Sequence, residues 1–295
     1  MAEPERRFLI SDDELEELIF KYCRDVTKLA RENRFDPITG RDKEIEQMIL
    51  ILMQKGRKNI GLLAPAGVGK TAVVAGLAQQ IVLGNVPDIL KNTRVLEVDL
   101  ASMSAGTSGP AEFQGRFIPL CKGLAERYRF AGEYPRYIMF IDEMHTIMPT
   151  VSGSAYRGLS EVLKPYLTVG DLYVIGATTL DEFRMFVAVD PAMDRRFQKV
   201  FLKVPNEKET VQILNNLKSG YEKHHGITVS EAAVDRIILL TEEHMKRRNQ
   251  PDKSIIVMDG AMAYHVMKNG RGGELSMDAI NFMVSQEVNI HKDAL

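Results

Sequence analysis

Residues 59–71, NIGLLAPAGVGKT, decide the fold, because an apolar run passes there into a glycine-rich loop and then into a helical pattern. The loop matches the phosphate-binding pattern G-x-x-x-x-G-K-[ST] except at its first position, where Ala64 stands in place of glycine. Such a loop surrounds phosphate groups with backbone N–H groups and with the positive end of the following helix. The stretch therefore predicts a phosphate-binding loop between a buried strand and a helix. The competing interpretation is a chance match at a strand–helix turn.

The residue types in this loop suit separate tasks. Gly67 and Gly69 let the backbone approach phosphates closely, Lys70 would contact the β- and γ-phosphates, and Thr71 would ligate Mg²⁺. Ala64 is a mild departure because it precedes a proline, a position that favours the extended backbone that alanine readily adopts.

A second motif, YIMFIDE at residues 137–143, is an apolar strand that ends in two acids. Asp142 is suited to the shell of a Mg²⁺ ion, and Glu143 to orienting or deprotonating an attacking water. The alternative is an acid pair that caps the next helix. The following apolar run, LYVIGATT, ends in Thr178 and Thr179, where a hydroxyl could position that water.

Two adjacent arginines, Arg195 and Arg196, stand in DPAMDRRF just before another apolar run. They are either ordinary surface charge or an arginine finger that reaches the γ-phosphate of a neighbouring subunit. A finger of this kind is worth about 10³–10⁵ in rate.

Short apolar runs alternate with helical patterns along most of the chain, after a first helix predicted over 12–33 with Ser11 as its N-cap. The predicted strands are 59–64, 94–100, 137–142, 172–179 and 199–204. Continuously apolar strands separated by helices favour a parallel sheet covered by helices on both faces. Beyond about residue 205 only helices are predicted, at 207–224, 231–248, 253–268 and 276–291.

The composition excludes several classes of protein. The chain has 295 residues, 45% of them hydrophobic and 26% charged, with a formal net charge of −2, so no overall field attracts nucleic acid or anionic lipid. The two cysteines show no metal or redox spacing. The longest apolar run, 48–53, is far shorter than the ~20 residues that span a bilayer, and the first residues lack the apolar core of a signal peptide. We expect a cytoplasmic protein that does not span a membrane and does not bind nucleic acid.

The chain resembles the first nucleotide-binding domain of Clp-type AAA+ chaperones from about residue 20 to residue 260. The phrases that carry the resemblance include KYCRDVTKLARENRFDPITGRDKEIE, GVGKTAVVAGLAQQIVLGNVP, FIDEMHTI, LKPYLTVGDLYVIGATTLDEFR, DRRFQKVFL and NQPDKSI. The resemblance implies an α/β AAA+ P-loop domain with a small C-terminal helical domain, ATP or ADP with Mg²⁺ as ligands, and a homo-oligomeric ring of six subunits. We predict an extension at 1–20, the nucleotide-binding domain at 21–205 and the helical domain at 206–295.

The resemblance also implies roles for individual residues. Thr179 corresponds to the sensor-1 position, and Arg195 and Arg196 correspond to arginine fingers that act in trans. Glu143 is the catalytic residue that orients or deprotonates the attacking water. The metal ligands would be Thr71 and Asp142. The residues assigned to the nucleotide are Ile38, Arg41, Gly67, Val68, Gly69, Lys70, Thr71, Ala72 and Asp142.

The chain also departs from the family's pattern. Only about twenty residues precede the match, no coiled-coil middle domain interrupts the helical domain, and the second ATPase domain with its peptidase-docking loop is missing, so no docking on a peptidase is expected. The helical domain lacks an obvious sensor-2 arginine. Asp252 and Lys253 are the only residues there that match the family's motif.

The stretch AGTSGPAEF, residues 105–113, corresponds to the family's pore loop, in which a tyrosine grips polypeptide. Gly109 stands at the position of that tyrosine, and the neighbouring positions also carry small residues. An aromatic ring offers a large contact area, which glycine does not. Tyr156, in the loop after the second motif, either replaces the missing aromatic or packs at the start of the next helix.

Three functions remain open from the sequence. The first is an ATP-hydrolysing ring that remodels or regulates an unidentified protein partner without threading it processively. The second is a nucleotide-switched scaffold with little hydrolysis, and the third is an unfoldase that grips its client through Tyr156.

Overall fold

A computed structural model describes residues 8–128, 130 and 132–288 of the chain. Its strands form one six-stranded sheet in the spatial order β1-β3-β4-β5-β2-β6. The strands are β1 (Cys23–Asp25), β2 (Asn59–Leu63), β3 (Thr93–Val98), β4 (Arg136–Ile141), β5 (Tyr173–Thr178) and β6 (Phe197–Phe201). All neighbouring strands are parallel except β1, which pairs antiparallel with β3. The predicted α/β class with a mostly parallel sheet is confirmed, and all five predicted strands are present.

Both faces of the sheet are covered. Every residue of β2 and of β5 is buried, and successive side chains of a strand point to opposite faces. A sheet with one face in water would leave alternate residues exposed, and these two strands show no such alternation. The sheet therefore forms the middle layer of the domain, as the apolar runs predicted.

The helices between and after the strands have the following bounds. They are α1 (Asp12–Tyr22), α2 (Val26–Arg31), α3 (Asp42–Leu52), α4 (Lys70–Leu83), α5 (Asp88–Lys91), α6 (Leu100–Ser104), α7 (Pro110–Tyr128), α8 (Leu159–Val169), α9 (Leu180–Glu182), α10 (Pro191–Asp194), α11 (Glu207–His225), α12 (Glu231–His244), α13 (Asp252–Asn269) and α14 (Met277–Val288). A 3₁₀ helix at Met144–Ile147 and a π-helical segment at Phe183–Val187 complete the set. The end of the predicted helix 276–291 lies outside the described residues.

The single helix predicted over 12–33 is wrong, because the chain leaves the helical conformation after Tyr22. Cys23–Asp25 instead forms the edge strand β1, in register with Leu96–Val98 of β3. Asp25 then caps α2 by accepting a hydrogen bond from the Lys28 N–H group at 2.9 Å. The predicted N-cap is confirmed, since the Ser11 side chain accepts from the Glu14 N–H group.

The segment at 105–113 is shorter as a loop than the sequence indicated. Helix α6 precedes it and α7 already begins at Pro110, so only the turn at 105–109 connects the two helices. Arg116 of α7 donates to the carbonyl oxygens of Met103 and Ala105 at 2.9 and 2.7 Å, and these bonds fix the path of the turn.

The described chain separates into two compact units. The first contains the residues up to Phe35, Glu44–Leu63 and Val74–Phe201, and therefore the whole sheet. The second contains Asp36–Lys43, Ala64–Val73 and the residues from Leu202 onward. The core of the second unit lies among α11, α12, α13 and α14 and includes Leu214, Ile237, Val257, Met262 and Ile280. The phosphate-binding loop thus belongs to the same compact unit as the C-terminal helices.

A glycine in the sheet sets the position of the 3₁₀ helix that follows β4. A Cβ atom on Gly176 of β5 would overlap the side chain of Met144, which is fully buried. We expect Gly176→Ala to lower the free energy of unfolding by about 1–3 kcal/mol, since overpacking forces neighbouring groups to shift. The midpoint of urea denaturation measures the change.

The matched control for this change is Gly115→Ala in α7, where a new Cβ would meet nothing within 4 Å. Alanine in an open helical position should be neutral or stabilising by up to about 1 kcal/mol. Equal stability of Gly176→Ala and the unsubstituted protein would contradict the assigned packing.

No helix within the described part of the chain is long and apolar enough to cross a membrane.

Candidate functional site: the phosphate loop and the acidic strand end

The phosphate loop has the backbone conformation that its glycines predicted. Gly67 and Gly69 have φ angles of +75° and +98°, in the left-handed region that residues with a Cβ atom rarely enter. Alternation of ordinary and left-handed residues turns successive N–H groups toward one side and forms a concavity that suits an anion. Lys70 begins α4 and is 8% exposed, so the cation lies at the positive end of a helix of 14 residues. The residues present therefore fit a phosphate group.

Side chains from two other segments of the second unit hold the loop in place. Arg41 is almost buried and donates to the carbonyl oxygens of Val68 at 3.0 Å and of Lys203 at 3.1 Å. Asn249 donates to the carbonyl oxygen of Ala66 at 3.0 Å. The sequence assigned Arg41 to the nucleotide, and the hydrogen bonds of its guanidinium connect the loop with the start of the C-terminal segment. Asn249 was not singled out by the sequence.

Of the other residues assigned to the nucleotide, Ile38 is half-buried, Val68 is buried, Thr71 is half-buried and Ala72 is exposed. Ala64, the departure from the glycine pattern, is buried with 1% exposure. It directly follows β2, so its methyl group lies in the core and leaves the left-handed positions of the loop unchanged.

Gly67 cannot acquire a side chain without disturbing the loop. A Cβ atom there would lie 2.9 Å from the Cβ atom of Asp252, and the φ angle is already left-handed. For Gly67→Ala we expect the loop to adopt another conformation in the absence of ATP. The loop must then return to its original conformation when ATP binds. A cost of about 1–2 kcal/mol corresponds to a roughly tenfold rise in the Kd for ATP. Titration with a fluorescent ATP analogue measures it.

Gly84→Ala is the matched control, because Gly84 has a similar φ angle of +74° but nothing within 4 Å of a new Cβ atom. This variant should lose stability through backbone strain and keep its affinity for ATP. A similar rise in Kd for both variants would mean that general destabilisation, rather than the shape of the loop, governs binding.

The second motif lies at the carboxyl end of β4, in the first unit. Asp142 is half-buried and accepts a hydrogen bond from the Glu143 N–H group at 3.0 Å. Glu143 has φ +49°, a left-handed conformation that is uncommon for a residue with a side chain. Backbone strain of this kind often accompanies functional sites. The exposed carboxylate of Glu143 therefore stands at a constrained turn beside Asp142.

A hydrogen-bonded cluster adjoins Glu143 and includes two residues that the sequence analysis missed, His145 and Glu182. Nδ1 of His145 lies 2.9 Å from the Thr178 hydroxyl oxygen and 3.4 Å from Oε2 of Glu143. Oε2 of Glu182 accepts from the Thr178 hydroxyl at 2.9 Å and from the Thr179 hydroxyl at 2.8 Å. Both threonines at the end of β5 are therefore already hydrogen-bonded.

The electrostatics of this cluster favour an ionised Glu182. Partial burial raises the pKa of this carboxyl, but hydrogen bonds from the N–H and hydroxyl groups of Thr179 and from the Thr178 hydroxyl outweigh it. Together with the nearby His145 they hold the pKa of Glu182 below its usual value. The signal for Glu182 in the sequence is T-x-x-E, since Thr179 and Glu182 form a capping box at the start of α9.

The two arginines line a separate surface cavity of about 550 Å³ in the first unit. Arg57, Arg195, Arg196 and Lys199 supply four cationic side chains to its wall, whereas Asp194 is the one acid among the residues that line it. Lys199 pairs with Asp194 at 2.7 Å. This wall, with its excess of positive charge, suits an anionic ligand, and it shares no lining residue with the cluster around Glu143.

The sheet order brings the strand ends that precede the two motifs to one edge of the first unit. Strands β2 and β4 flank β5 on its two sides, and all three are parallel. Their carboxyl ends therefore face the same edge, where α/β proteins bind ligands. A parallel sheet with a phosphate loop after one strand and an acid pair after another defines a P-loop nucleoside triphosphatase.

Comparison with known proteins identifies the family of P-loop proteins to which the chain belongs. Residues 60–204 match the "ATPase family associated with various cellular activities (AAA)", and residues 206–292 match the "AAA lid domain". The chain belongs to the AAA ATPase family and is similar to the ATP-binding subunits of the Clp type. The predicted resemblance is confirmed.

Relatives of known sequence and structure support this assignment. The chain is 40% identical over 242 residues to the probable ATP-dependent Clp protease ATP-binding subunit of Chlamydia pneumoniae, covering 82% of this chain and 28% of that protein. It is 41% identical over 239 residues to the chaperone protein ClpB of Oceanobacillus iheyensis, covering 81% and 29%. The S. cerevisiae Hsp104–ADP complex matches with a TM-score of 0.81 and 31% identity, covering 92% of this chain and 45% of that one. The chain thus spans less than a third of the length of these two curated relatives.

Proposed function

We propose that the chain is the ATPase of a hexameric ring that remodels or regulates a protein partner in the cytoplasm. In this proposal ATP or ADP is held by the loop from Gly67 to Thr71, with Ile38 and Arg41 beside the base. Thr71 and Asp142 are the residues that would hold Mg²⁺, which would neutralise phosphate charge. The observation that carries the proposal is the pair of left-handed glycines before Lys70, at the start of a long helix.

Hydrolysis in this proposal uses the end of β4 and the end of β5. Glu143 accepts a proton from the attacking water, and Thr179 stands at the sensor position. Arg195 and Arg196 would approach the γ-phosphate bound by a neighbouring subunit, which is why a ring is required. The cationic wall that they share with Arg57 supports a role in binding an anion.

The turn between α6 and α7 supports remodelling without processive threading. Its residues 105–109, AGTSG, carry no ring or long chain that could grip a polypeptide. Ser108 donates its N–H group to the Glu112 carboxylate at 2.9 Å, and the Thr107 hydroxyl donates to the Ser104 carbonyl oxygen at 2.7 Å. These bonds fix the turn internally.

The second candidate function, threading through Tyr156, has weaker support. The ring of Tyr156 lies 5.7 Å from the ring of Phe113 and packs against the core of the first unit. This packing favours a structural role for Tyr156 over gripping. Unfolding of a tagged client that is lost in Tyr156→Ala and kept in Gly109→Ala would support the second candidate.

Partner capture tests the leading proposal. A Glu143→Gln variant loaded with ATP should retain its partner in a pull-down, whereas Lys70→Ala, which removes the phosphate contact, should not. Capture of the same proteins by both variants would contradict an ATP-dependent interaction. Nucleotide-dependent assembly without measurable turnover in the unsubstituted protein would instead favour the scaffold.

A further inference from the structure

Glu143, His145 and Glu182 form a convergent cluster that the proposed hydrolysis does not require as a set. Nδ1 of His145 lies 3.4 Å from Oε2 of Glu143 and 3.4 Å from Oε2 of Glu182. One nitrogen or oxygen atom from each residue lies within 4.8 Å of the other two. Three donor atoms are thus gathered on one side of the turn after β4.

The two distances from the His145 nitrogen suit a tetrahedral cation. Zn²⁺ binds histidine nitrogen at about 2.0–2.1 Å and carboxylate oxygen at about 2.0–2.2 Å, so neighbouring donors of such a site are roughly 3.4 Å apart. Both distances from the His145 nitrogen have this value. Three protein ligands with a fourth position for water are the usual arrangement of an open zinc site.

We propose that Glu143, His145 and Glu182 bind Zn²⁺, and that the bound ion withdraws the Glu143 carboxylate from the attacking water. The withdrawal rests on the proposed role of Glu143, whereas the metal site does not. Zinc would then act as an inhibitor of hydrolysis that leaves the phosphate loop unaltered.

Two of the three ligands are held in place by their neighbours. Glu182 accepts from the hydroxyl groups of Thr178 and Thr179, and hydrogen bonds of this kind orient metal-binding carboxylates. The His145 ring is 15% exposed and stacks on Phe186 with centroids 5.9 Å apart. Glu143, whose side chain is about half exposed, has to adjust, and the hydrogen bond between Nδ1 of His145 and the Thr178 hydroxyl has to break.

The donor set discriminates between zinc and magnesium. An imidazole nitrogen suits Zn²⁺, whereas Mg²⁺ prefers an octahedral set of oxygen atoms and keeps several waters. Because the Thr178 hydroxyl donates to Glu182, its oxygen accepts a hydrogen bond from the Nδ1–H group of His145. Zinc binds the lone pair at Nδ1, so the Nδ1 proton must be lost. If the ring is charged, this proton passes to solvent. If the ring is neutral, the Nδ1 proton is lost and Nε2 becomes protonated.

The binding test uses Zn²⁺ alone with the full chain and no nucleotide, in competition with a chromophoric chelator. We expect one equivalent of bound Zn²⁺, with affinity at least tenfold lower in His145→Asn and in Glu182→Gln. His225→Asn is the matched control, since that ring pairs with Asp259 at 2.7 Å and should leave zinc binding unchanged. Urea midpoints identify any variant that fails to fold.

Cys23→Ser controls for binding by thiols. Burial raises the pKa of Cys23 to about 12, so its thiolate is scarce at neutral pH and the variant should bind zinc normally. Zinc binding that is unchanged in folded His145→Asn would overturn the proposed site, as would an absence of stoichiometric binding in the unsubstituted protein.

The inhibition test measures ATP turnover with excess Mg²⁺, as the ratio of rates with and without Zn²⁺ for each variant. We expect the rate with Zn²⁺ to be at most a tenth of the rate without it in the unsubstituted protein. In Glu182→Gln the two rates should be nearly equal. Equal inhibition of both would overturn the withdrawal of Glu143. A protein that binds zinc at this site but shows no turnover under any condition would overturn the proposed function and leave the metal site supported.

Discussion

Glu143→Gln is expected to lower steady-state ATP turnover by about 10²–10⁴-fold while ATP binding is retained. Glutamine has nearly the same shape as glutamate but cannot accept a proton from the attacking water. The left-handed turn at Glu143 and the N–H bond to Asp142 involve the backbone, so the substitution leaves them in place. Phosphate release gives the turnover, and titration with a fluorescent ATP analogue gives the affinity.

Glu161→Gln is the control for this experiment. Glu161 is an exposed acid of α8 that pairs with Lys164 at 2.6 Å, and exposed pairs of this kind contribute about 0–1 kcal/mol. We expect its turnover to match that of the unsubstituted protein. Lys70→Ala should lose both binding and turnover. Undiminished turnover in both Glu143→Gln and Lys70→Ala would contradict the proposed ATPase site.

The second large effect is expected for the arginine pair. Arg196→Ala and Arg195→Ala should each reduce turnover by about 10³–10⁵-fold if the side chain stabilises the charge that develops on the γ-phosphate. Arg184→Ala is the control, because Arg184 is exposed and lies 4.0 Å from Asp181 in a surface pair. The same phosphate-release assay, run at a protein concentration that maintains the oligomer, compares the three variants.

Mixing inactive variants tests whether the arginine acts on a neighbour. In a mixed ring, some sites combine the phosphate loop and Glu143 of an Arg196→Ala subunit with the arginine finger of a Glu143→Gln subunit. Such a site contains both an intact glutamate and an intact arginine. Turnover should therefore reappear in the mixture. Recovery is not expected if both residues serve the site of their own subunit, so a mixture as inactive as its components contradicts a finger in trans.

The sheet was largely predictable because its strands are apolar throughout. Strands β2, β4 and β5 are buried on both faces, and this burial requires the continuous runs seen in the sequence. Strand β1 was missed for the opposite reason. It has three residues, none of them fully buried, and its existence depends on pairing with β3 some seventy positions away in the chain. Local periodicity across Tyr22 therefore indicated a continuous helix.

The candidate site divides in the same way. Gly67, Gly69 and Lys70 lie within one turn, so the local pattern of residue types was sufficient to predict a glycine-rich loop at the start of a helix. His145 and Glu182 come from segments that follow different strands, and only the sheet brings them to the same place. A histidine two residues after an acid carries no signal in a single sequence.

The phosphate loop and the C-terminal helices form one compact unit, and this has a consequence for hydrogen exchange. Asn249 contacts the carbonyl group of Ala66, and Asp252 stands against Gly67. Any ligand that rigidifies the loop also lowers the frequency of local opening around these two residues. Backbone amides at the start of α13 should therefore exchange more slowly with deuterium when nucleotide is bound. Their exchange rates report nucleotide binding from residues outside the loop.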